Sequence, residues 1–306
     1  MSLRYLVVGL GNIGTKRRKV LGPRCVASVD PLNPQADYRH IEEVPTDYYD
    51  AAVLSVPNQW KLELLHQLLA TGKHVLVEKP LLFPDAAASE TAQALALETG
   101  AVWYTSYQHR FEPLIRRLKC LQEEGAIGTV YNARLVYGNG TVQDCIGTWR
   151  EAGYGVLEDL GSHLIDLTDF LFGHPYGDYI LWQASRYESR VLDQCVFATA
   201  DRKVVLECAT TMWKNLFTID IYGQLGSLHL RGLCKWGPSK LLIHRRVFPS
   251  GVPEEVRETV NQEDQTWAAD FVEFERRIER RQTSRLSDWR ISACLHSLAQ
   301  QATHLD

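Results

Sequence analysis

The chain has no basic surplus: 33 Lys and Arg stand against 37 Asp and Glu, a formal −4 near neutrality. Without a basic excess nothing draws it as a whole toward nucleic acid or anionic lipid. Cys-x-x-Cys is absent, and the seven cysteines are odd in number and scattered from Cys25 to Cys294. That distribution excludes a disulfide framework and points to reduced thiols in a cytoplasmic protein. No apolar run approaches the ~18–20 residues that cross a bilayer. Met1 leads straight into an apolar strand with no charged leader, so no signal peptide is expected. Internal repeats are missing too.

What is present is an ordinary globular composition, 45% hydrophobic and 23% charged over 306 residues. That length exceeds the ~100–200 residues of one domain, so two are expected. Residues 1–109 alternate strand and helix. Tyr5–Leu10, Cys25–Val29, Ala51–Val56, His74–Val77 and Val102–Tyr107 are unbroken apolar runs, and helical spacing fills Trp60–Thr71 and Asp85–Thr99. Runs of this kind mark strands covered on both faces, hence a doubly wound parallel sheet. Residues 110–306 read as helical at Leu114–Glu124 and Leu157–Phe172, and as short strands at Tyr131–Tyr137 and then consecutively from Tyr179 to Val247. They predict an α+β domain with a largely antiparallel open sheet. Pro249–Thr259 reads as a charged surface loop, and helix returns in Trp267–Arg280 and Asp288–Thr303, free to pack back on the first domain.

Val8-Gly9-Leu10-Gly11-Asn12-Ile13-Gly14 sets Gly-x-Gly-x-x-Gly directly after the first strand. Gly9 permits the tight turn, Gly11 a close approach to pyrophosphate and Gly14 close helix–strand packing. Asp30 ends the second strand about twenty residues on, where an acid receives ribose hydroxyls. The plain alternative is a glycine turn, with Asp30 only opening the Asp30-Pro31 turn. An acid there favours NAD and would repel the 2′-phosphate of NADP, the weaker alternative. Lys16, Arg17, Arg18 and Lys19 read as a solvated helix face and receive no role.

His74-Val75-Leu76-Val77-Glu78-Lys79-Pro80 is a buried strand ending in a charged pair and a proline. Ligands of open α/β sheets bind beyond the carboxyl ends of strands, so Lys79 is a candidate proton donor or acceptor. The glycine loop, Ser55-Val56-Pro57-Asn58, Gly72 to Pro80 and Tyr107-Gln108-His109-Arg110-Phe111-Glu112-Pro113 stand in that order. Together they resemble the glucose–fructose oxidoreductase/inositol dehydrogenase (Gfo/Idh/MocA) family over nearly the whole chain. The resemblance implies NAD(P)-dependent hydride transfer, with Lys79 reaching cofactor and substrate. It also implies cofactor contacts at Gly9, Gly11, Asn12, Ile13, Gly14, Asp30, Ser55, Pro57, Asn58, Glu78 and Lys79, and a C-terminal sheet that joins subunits. One position departs: where relatives commonly carry histidine, three residues after Asn58, this chain has Lys61.

Asp159, His163 and Asp166 lie within roughly 60° of arc at 3.6 residues per turn, apart from an apolar stripe of Leu157, Leu160, Leu164 and Leu167. They match the family pattern Asp-x-Gly-x-His-x-x-Asp. By that resemblance Lys79, Asp159 and His163 form one catalytic, proton-handling site. Arg110, Trp149, Arg150 and Tyr154 join those three in contacting substrate. The substrate expected is a sugar, sugar derivative or cyclitol oxidised or reduced at a CH–OH carbon. A non-catalytic cofactor-binding sensor, or a reductase of tetrapyrroles or dihydrodiols, is the alternative. No histidine or cysteine spacing suits zinc, so no metal is expected. A homodimer or homotetramer is expected through the open sheet, whose uncovered face would expose Phe217, Ile219 and Ile221.

Overall fold

The computed structural model describes residues 3–148, 150–173 and 178–304. The chain divides into two compact units, 1–108 with 267–292 and 109–266 with 293–306. The first contains a five-stranded parallel sheet of β1 (Tyr5–Val8), β2 (Cys25–Val29), β3 (Ala51–Leu54), β4 (His74–Glu78) and β5 (Trp103–Ser106), in the order β2-β1-β3-β4-β5. All four residues of β1, β3 and β5 are buried, which is why the apolar runs show no alternation. Helices α1 (Asn12–Leu21), α2 (Asn58–Ala70) and α3 (Ala86–Thr99) connect the strands. The Asp85 carboxylate caps α3 by accepting the Ala88 N–H at 2.8 Å.

The second unit opens with α4 (Pro113–Glu123) and the long strand β6 (Val130–Gly138), followed by a single turn, α5 (Val142–Cys145). A wide helical turn, Leu157–Gly161, then runs into α6 (Ser162–Phe172). The sheet is completed by β7 (Tyr179–Ser185), β8 (Gln194–Thr199), β9 (Val204–Ala209), β10 (Leu216–Gly223), β11 (Gly226–Arg231), β12 (Ser239–Val247) and β13 (Gly251–Val260). Its order is β13-β12-β11-β10-β6-β9-β8-β7, antiparallel throughout except for β6 beside β9. Helices α4 and α6 pack on one face. Phe217, Ile219 and Ile221 are buried on the core side, whereas Thr218, Asp220 and Tyr222 between them are not. The expected apolar patch is therefore core, because alternation turns those three residues inward.

Pro249–Thr259 is not a loop. Its Val252, Glu254, Val256 and Glu258 belong to the edge strand β13, paired to β12 from Ser239↔Val260 to Val247↔Gly251. The strand is exposed on both faces, so burial leaves no alternating pattern to read, and Pro253 is tolerated at an edge. Two helices close the chain, α7 (Thr266–Arg280) and α8 (Arg285–Ala302). Phe271 and Phe274 of α7 pack with Tyr5, Val7 and Tyr104 of the parallel sheet, and Trp289 of α8 packs on the cluster around Trp103. No helix among the described residues is long and apolar enough to cross a membrane.

Candidate active site

In the first unit Gly9 turns the chain out of β1 at φ +89°. A Cβ there would stand 2.5 Å from the Ser55 carbonyl oxygen, and one on Gly14 would stand 1.7 Å from that of Gly9. Both positions require glycine. Gly11 is different, since a Cβ on it would meet nothing within 4 Å. Next to this open space α1 starts with no side-chain cap and no acid in its first turn, leaving its positive end for an anion. The residues present therefore fit the pyrophosphate of a dinucleotide.

Asp30 does more than the sequence suggested. Its Oδ2 accepts the Leu10 N–H at 2.7 Å, and its Oδ1 accepts those of Leu32 and Asn33 at 2.9 Å each. Burial pushes the carboxyl up, but the three backbone donors outweigh it and hold the group below its ordinary range. Asp30 thus braces the glycine loop and stays ionised. Beside it the exposed Arg39 donates to the carbonyls of Asp30 and Asn33, at 3.3 and 3.0 Å.

Arg17 corrects the reading of a solvated helix face. Its side chain is wholly buried, with Nε 2.6 Å from Glu78 Oε1 and Nη2 2.7 Å from Asp270 Oδ2 and 2.6 Å from the Ser106 hydroxyl. The guanidinium lies 4.5 Å above the Trp267 ring. Gly14, Arg17 and Leu21 share the inward stripe of α1 at helical spacing, and that was the available signal. Glu78, expected at the cofactor, turns its carboxylate to Arg17.

Lys61 is also buried, and its ammonium gathers four oxygens. It donates to Asn58 Oδ1 at 2.7 Å and to the carbonyls of Glu78, Lys79 and Pro80 at 2.6, 3.1 and 2.9 Å. It therefore fixes the bend at the end of β4 that presents the half-buried Lys79, whose bond to Pro80 is cis. Ser55 and Pro57 follow β3, and Asn12 and Ile13 open α1, each where the motif set it.

In the second unit, Leu157–Gly161 is wound more widely than an α-helix, closing with the Ser162 N–H on the Leu157 carbonyl five residues back. The 3.6-residue spacing assumed for Asp159 and His163 does not hold across that turn. Asp159 is half-buried and His163 only 4% exposed. Asp166 and Arg110 grip one another bidentately at 2.8 and 2.6 Å, so this pair secures Arg110 to α6. Tyr154 sets its ring edge-on to His296, 5.6 Å between centroids, and its N–H binds Glu158. Arg150 is exposed, and Trp149 lies outside the described residues.

Sequence reasoning missed the groups that surround His163. The His109 ring stacks on it, centroids 4.2 Å apart and planes 18° from parallel. The buried Tyr137 hydroxyl lies 3.3 Å from His109 Nε2 and accepts from Lys235 Nζ at 3.1 Å. Lys235 lies in turn over the Trp236 ring at 4.7 Å. Strand and loop positions 28 to 127 residues distant from His109 carry no local motif, although His109 itself stood in the Tyr107–Pro113 run. Glu112 from the same run is buried, its carboxylate accepting the Cys234 N–H at 3.1 Å and its thiol at 3.2 Å. Among the described residues no group of three His, Cys, Asp or Glu is arranged to hold a metal ion.

Comparison with known proteins agrees with both units. Residues 3–107 match the oxidoreductase family with the NAD-binding Rossmann fold, and residues 115–229 match the GFO/IDH/MocA C-terminal domain. The chain is 25% identical over 248 residues to a scyllo-inositol 2-dehydrogenase (NADP(+)) of Bacillus subtilis, matching 79% of this chain and 64% of the relative. It is 34% identical over 222 residues to YdgJ, an uncharacterized oxidoreductase of Escherichia coli, matching 68% of this chain and 63% of that one. The matched stretch thus spans somewhat under two thirds of these relatives' lengths. The fold is shared with a levoglucosan dehydrogenase solved with NADH and levoglucosan, at a TM-score of 0.80 and 17% identity, covering 100% of this chain and 98% of that one. With the two family domains matched in order along its length, the chain belongs to the Gfo/Idh/MocA oxidoreductases.

Proposed function

We propose that the protein is an NAD-dependent enzyme that moves hydride between nicotinamide and a hydroxyl-bearing carbon of a sugar, sugar derivative or cyclitol. The observation that carries this reading is the cradle at Gly9–Gly14, open over Gly11 and set at the uncapped start of α1. When bound, the cofactor supplies the hydride acceptor. The glycine-loop backbone holds its pyrophosphate, and the ionised Asp30 keeps one edge of the loop negative toward the adenosine ribose. That charge favours NAD, although Arg39 stands close enough to soften the preference.

Oxidising an alcohol leaves a hydroxyl proton to be taken up. His163 is the base, an imidazole being suited to accept a proton near neutral pH. Asp159 orients it or binds a neighbouring hydroxyl, and Lys79 polarises the reacting oxygen. The presence of Lys79, Asp159 and His163 together favours turnover over a sensor that only binds cofactor. Inositol and levoglucosan, named for the relatives above, support the substrate class.

The test is a panel of sugars, nucleotide sugars and cyclitols with NAD and NADP, followed by nicotinamide absorbance. Lys79→Ala and His163→Ala should each lower kcat by roughly 10²–10⁴ on the substrate so found. NAD binding without turnover of any member would favour the sensor, and tighter binding of NADP would reverse the cofactor choice.

A further inference from the structure

Tyr154 stands between two glycines that leave no room for a side chain. Gly153 has φ +61°, and a Cβ on it would lie 2.1 Å from Glu158 Oε1. Gly155 has φ +57°, and a Cβ there would lie 2.3 Å from the Leu192 carbonyl oxygen. Both are left-handed conformations that favour glycine. The backbone is fastened on each side of the tyrosine. Glu158 Oε1 accepts the Tyr154 N–H at 2.8 Å, and the Val156 N–H donates to the Leu192 carbonyl at 2.8 Å. The N–H groups of Glu158 and Asp159 both turn back to the Gly155 carbonyl, at 3.1 and 3.2 Å. Tyr154 and the acid Asp159 therefore belong to one frame.

The ring is held from a second direction. His296 of α8, in the same compact unit, meets it at 86° between planes with centroids 5.6 Å apart, a favoured edge-on geometry. The ring is half-buried, so part of its surface still meets solvent. Burial and the Glu158 carboxylate hold the phenol above its ordinary range. It keeps its proton near neutral pH and is able to donate to a hydroxyl. A carbon ring bearing hydroxyls presents C–H faces and a polar edge, which an aromatic face with a polar tip complements. Side chains locked by packing and by hydrogen bonds behind them are what a precise site requires. The chemistry above makes no use of this arrangement.

We propose that Tyr154 is a specificity-determining residue, its ring the platform for the substrate's carbon ring, and that Glu158 and His296 are the residues that position it. The platform rests on the polyol reading above, whereas the positioning is tested without substrate or cofactor. With 3-fluorotyrosine incorporated into the full chain, Y154F identifies the Tyr154 19F signal. In the ligand-free protein E158L and H296L should each move that signal. E158Q, whose amide oxygen still accepts the N–H, should leave it near the wild-type position. H296L lies on a separate helix and keeps the test alive if E158L fails to fold. The platform is then tested with scyllo-inositol and levoglucosan as probes, in the presence of NAD. On whichever is turned over, Y154A and H296L should raise KM by about tenfold. Their kcat should stay within about threefold of wild type, the split left when binding common to ground and transition state is lost. A Tyr154 signal unmoved in folded H296L or E158L overturns the positioning, and an unchanged KM in Y154A overturns the platform. If neither probe nor any other polyol is turned over, the platform falls with the earlier reading, and the ligand-free spectra still decide the positioning.

Discussion

Arg17 sits with its guanidinium sealed away from water between Glu78 and Asp270, and removal of one partner in such a set exposes the others to an unanswered charge. Arg17→Met should destabilise the protein by about 3–5 kcal/mol, the usual cost of breaking a buried ion pair from one side. Urea unfolding at neutral pH measures it, and a loss below about 1 kcal/mol would mean that the carboxylates find other partners. Glu112 shows the opposite imbalance. Burial raises its pKa more than the Cys234 donors lower it. An acid whose folded pKa is raised contributes stability at low pH and loses it as pH rises from the ordinary glutamate value of about 4.3 toward the folded one. Glu112→Gln should flatten that decline and unfold at a higher temperature at neutral pH, and an unchanged pH profile would contradict the assignment.

Lys61 and the three carbonyls it gathers act on the end of β4 as a unit. Lys61→Met should leave NAD affinity within a few-fold and lower kcat by about 10²-fold, the scale expected when a reacting group is misplaced by an ångström. Lys61→His, the residue that the family resemblance implies at this position, should recover part of the loss. A fall in binding alone would place Lys61 at the cofactor instead. At this scale much was legible beforehand. Apolar runs such as Ala51–Leu54 revealed a sheet buried on both faces, and the glycine spacing located the tight turn between β1 and α1 within a residue. Arg17 was misread because charge was weighed above helical position, and β13 because an edge strand bathed in solvent keeps no apolar alternation. The partners of His109 were invisible for a third reason: only pairing of β6 with distant strands brings Tyr137 and Lys235 to one place.

For the whole molecule, the uncovered face of the eight-stranded sheet bears on assembly. Its residues are polar and paired: Asp220 with His229 and Arg231, Arg134 with Glu207. We still propose a homodimer or homotetramer through this sheet, now joined by charged and aromatic contacts around Tyr222 in place of the apolar patch first expected. Light scattering at micromolar concentration should show an oligomer that loosens with salt, and a monomer at low salt would refute it. The two compact units also interleave along the gene, since residues 267–292 return to the first unit and residues 293–306 to the second. Asp270 and Asp288, which serve Arg17, Tyr104 and Trp103, are encoded beyond the whole of the sheet. A single recombination event near codon 108 that exchanged everything downstream would import foreign partners for these buried groups. Swapping one substrate unit for another cleanly takes three crossovers, close to codons 108, 266 and 292.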